Sequence, residues 1–293
     1  MFNTRLLALA LASSSLVASS PAGIFADSVE SYDPGIGFAK EFGSGLGYTN
    51  AAAALSQPSR ETSFDPVQPF NSPFDRSELV SLGTSGFLTV RFAAPIRNDP
   101  DHPFGLDFII YGSTAFIDND YPNGLTDAAA STFGHNPGIT RVSVSKGDGV
   151  FYTLDPVLAP TVDGLFPTDG AGIFGVPVNP ALTQLDFANK SLAEIRALYQ
   201  GSAGGTGYDV SWATDGNGAR VILDQVSLIR VDVISGRAEI DGFAMVPEPS
   251  AGALLGLGAV LYWLISRRQT RASSARSSPA KSATSGLAGG LER

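Results

Sequence analysis

Six short runs constrain this chain more than any other feature: SGFLTVRF, GLDFIIYG, ITRVSVS, VFYTL, RVILDQVSLIRVDVI and AEIDGFAMV. They are rich in Val, Ile, Phe and Tyr, and Gly, Pro, Asn and Asp separate them, the texture of strands cut by turns. KGDG (Lys146 to Gly149) predicts a hairpin between two of them, and DGNG (Asp215 to Gly218) predicts a second tight turn. No βαβ alternation is present. The expected fold is therefore all-β, a single jelly-roll-like antiparallel β-sandwich. One short helix is expected in SLAEIRALYQG, where Ser191 and Glu194 have capping-box spacing. Leu192, Ile195, Leu198 and Tyr199 fall on one face, and Gly201 ends it; the helix is expected against an end of the sandwich.

The two ends read differently from this middle. Arg5 precedes an apolar run from Leu6 to Leu11 that fades through serines into SSPAGIFA, the form of a secretory signal peptide over residues 1–26. Cleavage is expected after Ala26, with Ala22 as second choice. Residues 27–250 hold twelve basic and 27 acidic side chains, a net of −15. That balance excludes nucleic acid, whose phosphates need a positive surface, and docking on anionic lipid. The chain has no cysteine. An exported domain of roughly 220 residues must then be held by its core, or by its core together with bound metal, rather than by disulfides.

The C-terminal end, VPEPSAGALLGLGAVLYWLISRR, has three parts in order. Pro247, Glu248 and Pro249 hold the chain extended, an apolar stretch from Ala251 to Ile265 follows, and Arg267 and Arg268 close it. As a helix the stretch is roughly 22 Å long, against a hydrocarbon thickness of about 30 Å. It is short for a lasting span. The segment 247–268 resembles the PEP-CTERM sorting signal of Gram-negative bacteria. That resemblance implies recognition of the Pro-Glu-Pro motif by an exosortase, transient inner-membrane insertion through residues 251–265, and release to the cell surface or extracellular matrix. One departure is a basic Ser/Ala/Gly-rich tail, residues 269–293, expected to be disordered.

The domain between, residues 27–246, resembles PEP-CTERM-bearing surface proteins with a jelly-roll, discoidin-like character. The likeness rests on GYTNAAAALSQPSRET, SLGTSGFLTVRFAAPIRNDPDHPFGLDFIIYGSTAF, GTGYDVSWATDGNGARVILDQVSLIRVDV and EIDGFAMV. It implies fold and address, and little about activity. Related modules carry Ala-Leu-Gly-x-Pro where this chain has AALSQP, so Ser56 stands at a position that a left-handed turn would give to glycine.

Candidate chemistry is sparse. FIDNDYPNG offers Asp118, Asn119, Asp120 and Asn123, hard oxygen ligands of the kind Ca²⁺ takes, against the reading of an Asx-rich turn. NDPD, Asn98 to Asp101, is a second such cluster. His102 and His135 are the only imidazoles, each in a Pro/Gly loop and expected to be solvent-exposed, with no catalytic motif around them. The chain is thus expected not to be an enzyme but a structural or adhesive matrix protein. The alternative is a calcium-dependent module for extracellular polysaccharide, with Tyr111, Tyr121, Tyr152, Tyr208 and Trp212 as candidate platforms and Arg60 and Arg97 as partners for acidic sugars. Of these aromatics, Tyr152 and Trp212 lie in strand-like runs that favour the core. A glycan hydrolase, needing only two carboxylates, is the third reading.

Overall fold

The computed structural model describes residues 23–133 and 138–248. The signal segment up to residue 22, His135, Pro249, the apolar stretch with Arg267 and Arg268, and the basic tail lie outside them. Among the described residues no helix is long and apolar enough to cross a membrane.

The strands are antiparallel, as the alternating runs predict. In chain order they are β1 (Ser28–Asp33), β2 (Val80–Gly83), β3 (Phe87–Arg97), β4 (Phe108–Gly112), β5 (Ala115–Phe116) and β6 (Thr132–Phe133). There follow β7 (Ile139–Ser145), β8 (Tyr152–Leu154), β9 (Thr206–Tyr208), β10 (Ala213–Thr214), β11 (Gln225–Ser235) and β12 (Arg237–Met245). One sheet has six strands in the order β1-β3-β11-β7-β8-β10, and a second has four, β2-β12-β4-β9; β5 and β6 form a small ribbon. KGDG does turn β7 into β8, and DGNG follows β10 with Asp215 accepting from the amides of Asn217 and Ala219.

The inward faces of the two large sheets meet in one core. Leu88, Val90, Val142, Val144, Ile229, Val231 and Val233 from the first sheet pack with Phe108, Ile110, Ile240 and Phe243 from the second. Strand β4 is buried along its whole length. The reason is a second cover: Ile109 and Tyr111 point away from the sandwich and pack with Phe174, Ala203, Ala244 and Val246. A strand covered on both faces reads as a continuous apolar run, which is what DFIIYG is. The other end of that covering segment carries the helix α1 (Leu192–Tyr199), whose capping box of Ser191 and Glu194 forms as expected. Ile195 and Tyr199 bury into a third cluster with Phe70, Phe116 and Phe187, and the backbone turns left-handed at Gln200 and Gly201.

Buried aspartates tie the long connections to this frame. Asp241 of β12, where the register with β4 shifts, accepts from the Ser59 amide at 3.1 and 3.0 Å and from its hydroxyl at 2.7 Å. Asp163 accepts from the Thr114 amide at 2.8 Å and hydroxyl at 2.7 Å. A Cβ at Gly112 would come within 2.3 Å of that carboxylate, so only glycine leaves it room. Asp169 receives the Arg196 guanidinium through two bonds, at 2.7 and 3.0 Å, docking the helix. Asp107 accepts from the amides of Asp99 and Val210 and from His102.

Ser56 adopts φ of 68°, so the left-handed turn survives without its glycine. That conformation costs an L-residue about 1–2 kcal/mol, of which glycine's extra chain entropy would cancel about 0.5–1. Ser56→Gly is therefore expected to stabilise the protein by about 0.5–1 kcal/mol. Denaturant melts check it, and a destabilised variant would contradict it.

Burial pushes the Asp241 carboxyl up to about 7 and that of Asp107 to about 6, in both cases against the hydrogen bonds that favour the ionised form. A raised folded-state value means stability present below the ordinary carboxylate range and lost as pH rises through 6 and 7. The lowered groups, Asp127, Asp186, Glu194 and Asp215, act below that range, where their contribution fades as the medium becomes more acid. The melting temperature is thus expected to fall between pH 5 and 8, and Asp241→Asn to flatten the slope. An unchanged slope in the variant would contradict the assignment.

Candidate ligand-binding face

The outward face of the six-stranded sheet gathers the polar residues that alternate with its core valines. In ITRVSVS, Val142 and Val144 face in, and so Arg141, Ser143 and Ser145 face out; in IRVDV, Arg230 and Asp232 face out between Ile229, Val231 and Val233. Strand register turns this alternation into rows. Ser31, Thr89, Arg230, Ser143, Thr153 and Thr214 stand side by side across all six strands. The hydroxyls bond along the row, Ser31 to Thr89 at 3.0 Å and Ser143 with Thr153 at 3.2 Å.

In the neighbouring row Phe87, Asp232 and Arg141 are partners. The Arg230 guanidinium lies 3.9 Å over the Phe87 ring and donates twice to Asp232, at 3.0 and 2.9 Å. A cation on an aromatic face with its donors already engaged is fixed in place. Arg141 is 3.7 Å from the other oxygen of Asp232, and half of its side chain is in solvent. Between these residues and Phe151 and Thr153 lies a groove of about 340 Å³. It continues into a second of about 320 Å³ that shares Arg141 and Asp232 and reaches Ser85 and Gly86.

Chemically the groove offers a planar, half-exposed guanidinium, a carboxylate acceptor, the half-buried Thr153 hydroxyl and one partly exposed ring, while Thr89 and Ser143 of the same row are buried. Two arginines against one aspartate make it locally positive within an acidic domain. The strands supply the rigidity, which spares a ligand the cost of ordering loops. Alternation was the signal by which sequence reasoning could have found Arg141 and Arg230, since the same pattern assigns the core.

The residues singled out by sequence lie elsewhere. Tyr111 and Tyr208 are fully buried, which removes them as sugar platforms; the Tyr111 hydroxyl accepts from the Gly175 amide, and burial pushes the pKa of both phenols up, keeping them neutral. Tyr152 and Trp212 pack against the core. Arg60 donates to the carbonyls of Gly170 and Gly172 and lies over the Phe174 ring, a structural task. Arg97 ends β3 opposite Gln225. Tyr121 is exposed, at the tip of the 118–124 loop.

In that loop Asp118 accepts from the amides of Asp120, Gly124 and Leu125, and Asn123 donates to Asp120 at 3.3 Å. These bonds account for the shape of the turn, with Asn119 held through its backbone to Leu125. In the NDPD cluster, Asn98 donates to the Leu223 carbonyl and Asp99 accepts from the Asp101 amide. The expectation of an exposed His102 is corrected: it is 3% exposed, because the short 3₁₀ turn Pro103–Gly105 folds it back onto Asp107. Pro247 and Glu248 are exposed, just beyond β12.

A further cleft of about 260 Å³ sits among loops, with Lys40, Phe42, Tyr48, Phe74, Phe133 and Glu239 in its wall. Phe42 is fully exposed there. No protein-family model matches the chain, and no curated protein matches it.

Proposed function

We propose that the protein is an exported, non-catalytic component of a bacterial cell surface or extracellular matrix that holds polysaccharide on the outer face of its six-stranded sheet. The observation that carries the binding reading is the pair Arg141 and Arg230, set in adjacent rows around Asp232 at a strand-built groove. A glycan with carboxylate groups fits it best: Arg141 presents planar paired donors to a carboxylate, and the Thr153 hydroxyl lies beside it for a ring hydroxyl. The export reading rests on the signal-like start and on the resemblance of residues 247–268 to an exosortase-processed sorting signal. The non-catalytic reading rests on the residue inventory, with no cysteine and two histidines, neither in a catalytic motif.

A jelly roll is the finer form of the fold we infer. Strands β2, β12, β4 and β9 in one sheet and β3, β11, β7 and β8 in the other follow the order of two interleaved Greek keys, with β1 and β10 added at the edges.

Binding to polygalacturonate, with neutral dextran as control, tests the face. The full chain is expected to bind the acidic polymer, and Arg141→Ala to weaken binding by about tenfold or more, the worth of a lost charge-assisted hydrogen bond. Undiminished binding in that variant, with loss instead in Phe42→Ala, would move the site to the loop cleft and overturn the assignment.

Packing supports the second of the two expected cleavage points. Ala26 is 1% exposed, its amide donates to the Phe243 carbonyl, and Phe25 bridges Ala244 and packs edge-on against Phe174. Cleavage after Ala26 would strip these contacts from the last strand, whereas cleavage after Ala22 keeps them. The exported protein is expected to begin at Gly23, read by N-terminal sequencing. A start at Asp27 would contradict this.

A further inference from the structure

Among the described residues, one buried polar side-chain atom has no hydrogen-bond partner. His102 is 97% buried by area, and its Nε2 has no hydrogen-bond partner while Nδ1 lies 2.9 Å from Asp107 Oδ1. A buried ring nitrogen without a partner forfeits the hydrogen bond it would make in water, so the arrangement calls for a ligand.

The tautomer can be read from Asp107. Its carboxylate already takes the Asp99 and Val210 amides, at 3.0 and 2.8 Å, and as an ionised group it can only accept. Nδ1 therefore carries the hydrogen, and in the neutral ring Nε2 carries a lone pair. A carboxylate that orients a histidine through one nitrogen so that the other can coordinate a cation is the recurrent arrangement behind metal-bound imidazole. A ring nitrogen of His102 and a carboxylate oxygen of Asp99 lie within 4.8 Å of each other, and the His102 amide donates to the Asp99 carbonyl in the same turn.

We propose that His102 Nε2 and Asp99 bind a divalent transition-metal ion of the zinc class, with Asp107 as the positioning residue and water completing the coordination. Imidazole nitrogen beside carboxylate suits zinc, and calcium, which takes oxygen alone, is not the ion expected.

Titration of the full chain with zinc chloride, followed by calorimetry and by the imidazole ¹⁵N resonances, tests the site. In metal-free protein His102 should show a hydrogen on Nδ1 and an unprotonated Nε2; zinc should shift the Nε2 resonance at one equivalent. Asp99→Ala and Asp107→Asn should each weaken that binding by about tenfold or more. His135→Ala, which removes the only other imidazole, should bind as the parent does. Failure of zinc to move the Nε2 resonance would overturn the proposal, and so would an Asp99→Ala protein that binds zinc as tightly as the parent.

Discussion

A carboxylate taken out of water costs several kcal/mol unless donors replace the hydration it loses. In this chain the donors come from segments remote in sequence: Ser59 to Asp241 spans 182 residues, Val210 to Asp107 spans 103, and Thr114 to Asp163 spans 49. Each pair closes a large loop, and closing a loop costs conformational entropy that rises only slowly with its length. A domain without disulfides needs such closures. The buried aspartates serve as polar substitutes for cross-links, and their weakness is that two of them are pushed toward protonation by the same burial that makes them specific.

That arrangement decides which surfaces are left for function. The four-stranded sheet is covered on its outer side by the segment that Asp163 and Asp169 hold down, with Phe174 and Tyr111 packed edge to face. The six-stranded sheet keeps its outer side for polar residues. Arginines, one aspartate and the Thr153 hydroxyl are thus presented on strands, and the groove they line inherits the stiffness of the sandwich.

The sequence was most informative where periodicity carries the physics. Alternation located the strands, KGDG and DGNG marked turns, and the Ser191 to Glu194 spacing predicted the cap of α1. Long-range contacts were not legible. DFIIYG reads as a buried strand, but nothing local says that Tyr111 faces a second cover rather than solvent. His102 sits among Asp, Pro and Gly, the composition of an exposed loop, and is buried because Asp107 supplies a partner five residues on. Ser56 shows the converse: a missing glycine left the left-handed turn intact, because a turn fixed at both ends can tolerate a modest dihedral cost. In the 118–124 loop, Asp118 looks like a ligand by type and is occupied by three backbone amides, a use that composition alone does not distinguish from metal binding.

Native-state hydrogen exchange tests the central role of the aspartate closures most directly. The amides of Ser59, Thr114 and Val210, which donate to Asp241, Asp163 and Asp107, lie in connecting segments that would ordinarily open locally. If the closures hold the fold, these amides exchange only through global unfolding, with the same free energy as the Val231 amide in the centre of β11. Exchange faster than that of Val231 by orders of magnitude would show that the loops open independently and that the sandwich stands without them.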